Sequence, residues 1–392
     1  MSRPAVLGGA PAFDPALPFA RPTIEEPDRI LASIGESLES GMLTNGPVVR
    51  NLEERVAEAF EVEHCVAVAS CTLGLLLVVQ AAGSRNGRAV VPSFTFSATA
   101  HSVRWNGLAP EFVDCDPDTW LMGPEHVPDD AGLIVGVHVS GMPCDVDGLA
   151  KRASEVGADL IFDAAHGAGS LIDIDGDPRP LGGFGRAEVF SLTPTKVMSG
   201  AEGGLITTND DELAARLRIA RDYGNPGDYD TRFAGLNARL SELHAAMALA
   251  SMDHLEERVE HRNEVANRYR TLLSDLDGVG FQQTPTGARS SYKDFTITID
   301  EGRFGLSRSR FVRSLQAEGI ATRPYYSPPV HHQTAYADLP PVELPTTERL
   351  ASRVVSLPMW SHLPFDTVER IGEAIARIRD HAGEIGDAAA TG

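Results

Sequence analysis

The fold this 392-residue chain predicts is an open, largely parallel α/β sheet covered by helices, followed by a second, smaller α/β unit. Three observations predict it. Seven short apolar runs recur between residues 65 and 208: "CVAVA", "AVVP", "EFVD", "GLIVGVHV", "DLIFD", "AEVFS" and "GGLITT". Segments of helical period separate most of them, which is the rhythm of a sheet buried on both faces. A shorter alternation of the same kind closes the chain.

The elements follow in order. "DRILASIGESLESG" has a helical face and a glycine stop, and apolar residues at 49, 52, 56 and 60 give the next helix its buried stripe. "CVAVASCTLGLLLVVQAAG" (65–83) approaches spanning length, but Ser70, Thr72 and Gln80 interrupt it. A buried strand running into a buried helix explains it better than a membrane span. "DVDGLAKRASEVG" (145–157) is a typical intervening helix. From Asn237 to Leu276 neither glycine nor proline occurs, which predicts one long helix bridging two domains. The expected division is a large domain over residues 1–250 and a small C-terminal domain over 251–392. "YKDFTITID", "SRSRFVRSLQAEG" and a helix near 366–382 build the small domain, and the closing "DAAATG" reads as a frayed end.

Bulk properties exclude several functions. A net charge of −21, with no basic run longer than two residues, excludes a nucleic-acid partner, because phosphate neutralisation needs clustered Lys and Arg. Cys65, Cys71, Cys115 and Cys144 lack C-x-x-C spacing and read as free thiols of a reducing compartment. The opening "MSRPAVLGGAPAFDP" has no apolar core for a signal peptide. A cytoplasmic protein with no membrane partner is expected. Gly-rich dinucleotide, Walker A, G-x-S-x-G and H-E-x-x-H motifs are all missing from the sequence, and no metal site is expected.

Chemistry-bearing residues follow the apolar runs, where ligands of such sheets bind. Asp163 ends "DLIFD" and needs a cationic or donor partner, or burial raises its pKa. By itself it fits a helix N-cap equally well, and His166 three residues on fits a satisfied histidine. "VASCTLGLLL" opens a helix whose first N–H groups, at Cys71, Thr72 and Leu73, could form an anion pocket or simply be capped by Ser70 or Thr72. Phe94 and Phe96 at the next helix mouth are either core or a flat surface for a planar ligand.

Lysine usage breaks the tie. Of 34 basic residues only Lys151, Lys196 and Lys293 are lysine. Lys151 lies in an amphipathic helix and reads as surface charge. Lys196, in "FSLTPTKVMSG", sits among hydroxyls and small residues. Arginine stays protonated and cannot condense with a carbonyl, whereas a poorly solvated lysine can. An imine-forming lysine, a buried carboxylate and an anion pocket together meet the requirements of pyridoxal phosphate.

With these residues in place, the chain resembles the DegT/DnrJ/EryC1/StrS sugar aminotransferases of fold type I. The likeness runs from "GMLTNGPVVRNLEERVAEAF" to "LPTTERLASRVVSLPMW", through "VPSFTFSATA", "FDAAHGAG", "FSLTPTKVMSGAEGG" and "GLNARLSELHAAM". It implies that Lys196 bonds the cofactor's aldehyde and acts as general base. It also implies that Asp163 faces the pyridine nitrogen, His166 lies beside the 3-oxygen, and Phe96 stacks on the ring. Cys71, Thr72 and Ser191 would hold the phosphate, with Cys71 standing where the family usually has glycine. Asn237 would reach the phosphate of a neighbouring subunit, implying a homodimer with shared sites. In "TRPYYSPPVHH", Tyr325 and His331 would approach the sugar, and Arg232, Arg239 and Arg323 are candidates for its anionic nucleotide. Some relatives carry histidine at the position of Lys196 and act as dehydratases, so the lysine implies transamination. The donor would be L-glutamate, leaving 2-oxoglutarate, and the acceptor a nucleotide-linked keto sugar. The opening "GGAPAFDPALPFARP" and the "FDAAH" and "TRPYYSP" variants look most like 4-aminotransferases acting on dTDP-4-keto-6-deoxyglucose for antibiotic glycosylation. A 3-keto sugar, a keto-cyclitol, or a regulatory protein on the same fold are the alternatives.

Overall fold

Every one of the seven apolar runs becomes a strand of a single sheet. The computed structural model describes residues 3–82 and 88–388. The strands are His64–Val68 (β1), Arg88–Pro92 (β2), Pro110–Val113 (β3), Ala131–Val137 (β4), Asp159–Asp163 (β5), Ala187–Ser191 (β6) and Gly204–Thr208 (β7). They lie in the order β1-β7-β6-β5-β4-β2-β3. Only β7 is antiparallel to its neighbours, because it returns from β6 through a short loop instead of a helical crossover. The carboxyl ends of the other six strands therefore share one edge, and the β6–β7 loop joins them there.

Both faces of the sheet are dry. Val66, Val68, Val91, Leu133, Val135, Ile161, Val189 and Ile206 pack on one side, with the helix Cys71–Ala82 laid across them. Their alternating neighbours Cys65, Ala67, Phe190 and Leu205 face the helices Pro47–Ala59 and Glu242–Asp253. Val90, Ile134 and Phe162 continue into a third cluster shared with the C-terminal unit. Period-two alternation with both sets apolar is why these strands read as continuous hydrophobic runs. The four cysteines are free and buried.

The stretch 65–83 resolves into β1 and the helix Cys71–Ala82, and among the described residues no helix is long and apolar enough to cross a membrane. In the C-terminal part, Val279–Phe281 (β8), Phe295–Ile299 (β9) and Val354–Leu357 (β10) form an antiparallel sheet in the order β8-β9-β10. The expected helices appear at Arg308–Ala317 and Phe365–Asp380. Of the closing "DAAATG", residues 389–392 lie outside the described residues.

One expectation is corrected. The long bridging helix is two helices, Glu242–Asp253 and Leu255–Leu273, separated at His254 (φ −108°, ψ 14°), and residues 237–241 run extended before them. No glycine or proline marks the break. One turn beyond it, buried Arg258 donates to the Val197 carbonyl at 2.8 Å and the Thr23 carbonyl at 3.1 Å, and bonds Ser251 and Glu25 as well.

Candidate active site

At the shared strand edge lies a pocket lined by Cys71, Thr72, Phe96, Asp163, His166, Ser191 and Lys196. Residues widely separated in the sequence thus meet because each follows, or ends, a strand of the same sheet. Tyr325, Tyr326 and Lys293 close the pocket from the C-terminal unit.

Lys196 stands in the β6–β7 loop. The loop is tied by Leu192 N–H to the Gly203 carbonyl (3.0 Å), Gly200 N–H to the Leu192 carbonyl (2.9 Å) and Lys196 N–H to the Thr193 carbonyl (3.0 Å). Behind it, the Ser251 hydroxyl accepts Ser199 N–H at 2.8 Å and also binds Arg258. The amine is therefore carried on a braced turn. Burial lowers its pKa to about 8 from the usual 10.5, and the positive charge of Lys293 pushes in the same direction.

Asp163 ends β5, 4% exposed, with Oδ2 accepting from the Thr99 hydroxyl at 2.7 Å and Oδ1 from Ala165 N–H at 3.1 Å. Burial raises its pKa despite those two donors. A carboxylate so placed still lacks a full counter-charge, which a cationic ligand would supply. His166 accepts Ser140 N–H on Nδ1 at 3.2 Å, which leaves Nε2 as the N–H donor. Burial first, then Lys196 and Lys293, hold its pKa well below the ordinary value, so the ring is a neutral donor.

The start of the helix Cys71–Ala82 forms the anion end. Ser70 takes Leu73 N–H on its hydroxyl and Gly74 N–H on its carbonyl, while Cys71 and Thr72 N–H have no backbone acceptor among the described residues. Gly204 passes so close that a Cβ there would lie 2.5 Å from the Cys71 nitrogen. The Cys71 thiol turns away from the pocket toward the Val189 carbonyl, 3.6 Å off, so its bulk is spent in the sheet. The two phenylalanines part ways: Phe94 is core at 1% exposure, whereas Phe96 is 59% exposed on the pocket rim.

Four candidates are not brought into the pocket. His331 is turned away: its Nδ1 lies 2.6 Å from the Ser93 hydroxyl and its Nε2 3.4 Å from Glu348, with Phe112 alongside. Arg239 is committed to Asp222 and stacks over Tyr223. Asn237 is exposed, its backbone bridged to Asp222 in a segment that runs beside the end of β1. Arg323 is exposed over the Phe19 ring and bonds Tyr325, which places it at the rim. Arg232, the further basic candidate, is paired with Asp228 and Asp230. Sequence reasoning in turn missed Lys293, Tyr326 and Thr99. The scarcity of lysine that singled out Lys196 was equally a signal for Lys293.

The profile of the DegT/DnrJ/EryC1/StrS aminotransferase family matches residues 25–376. The chain belongs to this family. A UDP-N-acetyl-3-dehydro-alpha-D-glucosamine 3-aminotransferase of Acidithiobacillus ferrooxidans is 34% identical over 89% of this chain and 94% of its own. The spore coat polysaccharide biosynthesis protein SpsC of Bacillus subtilis is 30% identical over 92% of this chain and 97% of its own. The crystal structure of DesI in the presence of its TDP-sugar product superposes with a TM-score of 0.88, at 39% identity and 96% coverage of both chains. The protein is accordingly a pyridoxal phosphate-dependent sugar aminotransferase on the fold of that family.

The pocket fits that cofactor. It offers a weakly basic amine for the aldehyde, a dry carboxylate for a protonated ring nitrogen, and free N–H donors at a helix start for the phosphate. In protein stripped of cofactor, uptake of pyridoxal phosphate should require the neutral Lys196 amine. Its rate is then expected to fall about tenfold per pH unit below pH 8 and to level off above it. Lys293→Gln removes a positive neighbour and should move this inflection upward. Stopped-flow absorbance across a pH series checks both, and an inflection near pH 10.5 in the unaltered protein would count against the geometry.

Proposed function

We propose that the enzyme moves the amino group of L-glutamate to C4 of dTDP-4-keto-6-deoxyglucose, in the making of a natural-product sugar. The observation that carries amine transfer is the meeting of Lys196 and Asp163 in one pocket beside unpaired helix N–H groups. The TDP-sugar assignment is supported by the 39% identity with DesI and by the "FDAAH" and "TRPYYSP" variants. A second reading, amination at C3 of a UDP sugar, is favoured by the name of the Acidithiobacillus relative at 34% identity.

The residues divide the work. When bound, the cofactor supplies an aldehyde for the substrate nitrogen and a ring that takes up the electron pair released at the donor's Cα. Cys71 and Thr72 N–H, with the Thr72 and Ser191 hydroxyls, would hold its phosphate. Asp163 would hold the ring nitrogen protonated, and its buried bond from Thr99 fixes the carboxylate for that task. His166 would present Nε2–H to the 3-oxygen, because Ser140 occupies Nδ1. Phe96 would cover one face of the ring. Lys196 takes the proton from the donor's Cα and returns one when the sugar is aminated, a role its lowered pKa suits near neutral pH.

A −21 chain must be locally basic where it binds a sugar nucleotide. Arg323, exposed at the rim over the Phe19 ring, is the candidate for that charge. Assembly as a homodimer is supported by an apolar rank on the first helix, Pro27–Ser40, and its flank. Leu31 (64% exposed), Leu38 (60%), Met42 and Leu43 face outward there as one apolar strip. Asn237, exposed near the end of β1, would then reach the partner's site.

Four outcomes follow. Dosed with L-glutamate and each candidate keto sugar, the loaded enzyme should lose its visible band with glutamate and regain it with the dTDP-4-keto sugar, giving a 4-amino product by mass and NMR analysis. Lys196→Ala should lower turnover by at least about 10³-fold, and native-rate turnover by that variant would end the reading. Arg323→Ala should raise KM for the sugar nucleotide far more than for glutamate, and an equal rise in both removes it from the sugar site. The pair Leu31→Glu with Leu38→Glu should convert a dimer into a monomer by light scattering, and an unchanged mass refutes that interface.

A further inference from the structure

We propose that Lys293 forms the subsite for the α-carboxylate of the amino donor, with Asp294 fixing its ammonium in place. The inference rests on the reading that the donor is an amino acid. Lys293 is 5% exposed and Asp294 3%, and Nζ lies 2.7 Å from Asp294 Oδ1. A buried ion pair adds little to stability, so keeping one at a pocket wall asks for another reason. The pair is incompletely satisfied: Asp294 Oδ2 is buried without a partner, and Asp294 takes up one of the three N–H groups of the ammonium.

The backbone is built to hold this lysine there. Tyr292 adopts φ +44°, an uncommon conformation for a bulky residue, and is held in it from both sides. Its N–H bonds the Ser290 hydroxyl at 2.9 Å, and its carbonyl takes Arg262 at 3.0 Å. Lys293 N–H bonds the Ser140 carbonyl at 3.0 Å, while Ser140 N–H bonds His166. Lys293 is thereby stitched to the wall that carries His166, near the reacting end of the pocket.

Among the described lining residues, Lys196 and Lys293 are the cations, and Lys196 is engaged by the chemistry. An amino acid carries its α-carboxylate on the very carbon that bears the transferred nitrogen, so its counter-charge must lie close to that amine. The diphosphate of a nucleotide sugar hangs from C1, across the ring from C4, and does not need a cation there. Lysine also suits two alternating guests: a compact ammonium with free donors can meet a carboxylate in one half-reaction and a sugar hydroxyl in the other, whereas the fixed fork of arginine favours the carboxylate alone.

The test compares 2-methylglutamate, which has no Cα proton to lose, with its α-carboxamide, reading binding to the cofactor-loaded enzyme from the visible spectrum. The unaltered enzyme should bind the carboxylate at least tenfold tighter than the carboxamide. Lys293→Gln keeps a donor for Asp294, removes the charge, and should abolish that preference. Lys293→Arg should retain it within about threefold. If Lys293→Gln does not load cofactor, the double variant Lys293→Gln with Asp294→Asn is expected to show the same loss. A wild-type enzyme without the preference, or a charge-removed variant that keeps it, overturns the inference. An enzyme that refuses dTDP-4-keto-6-deoxyglucose but shows this pattern leaves the carboxylate subsite standing and removes only the sugar assignment.

Discussion

A carboxylate at the end of a dry strand is the constraint around which this site is organised. Asp163 is delivered to the pocket by β5, which is buried on both faces, so its charge cannot be left to water. Two donors, Thr99 and Ala165, hold it in place without neutralising it. A cationic ring nitrogen of the cofactor would complete it. Helix-start donors, a neutral histidine and an amine of lowered basicity share the pocket with it.

The sheet accounts for why residues from four segments converge. Six strands ending at one edge would suffice for a binding cleft, as in other open α/β sheets. The seventh, reversed strand adds something specific. By returning directly, it turns the β6–β7 connection into a hairpin loop at that edge, and it brings Gly204 against Cys71. The amine-bearing loop and the helix start are thus neighbours through one glycine contact, and a side chain there would push them apart.

Much of this was legible in the chain, and the exceptions have identifiable causes. The seven strands could be read because burial on both faces leaves unbroken apolar runs. Lys196 and Asp163 could be read because each is chemically out of place locally: a lysine among hydroxyls in an arginine-using chain, and an acid ending an apolar run. The break at His254 carries no local breaker: neither glycine nor proline stands there, so no sequence signal marks it. The direction of His331 was equally hidden. Its loop was rightly placed near the site, bringing Tyr325 and Tyr326 into the pocket, but Ser93 and Glu348 draw the imidazole elsewhere. Arg239 and Arg232 looked available only because the acids that claim them, Asp222, Asp228 and Asp230, belong to an irregular segment with no periodic pattern to read.

The cluster around Arg258 ties together parts of the molecule that would otherwise be independent. One guanidinium grips the backbone of the Lys196 loop at Val197, the hydroxyl of Ser251, and the N-terminal strap at Thr23 and Glu25, just ahead of the helix carrying Leu31 and Leu38. Whatever orders that strap also braces the turn that carries Lys196. The N-terminal strap and the turn that carries Lys196 therefore meet at a single planar cation.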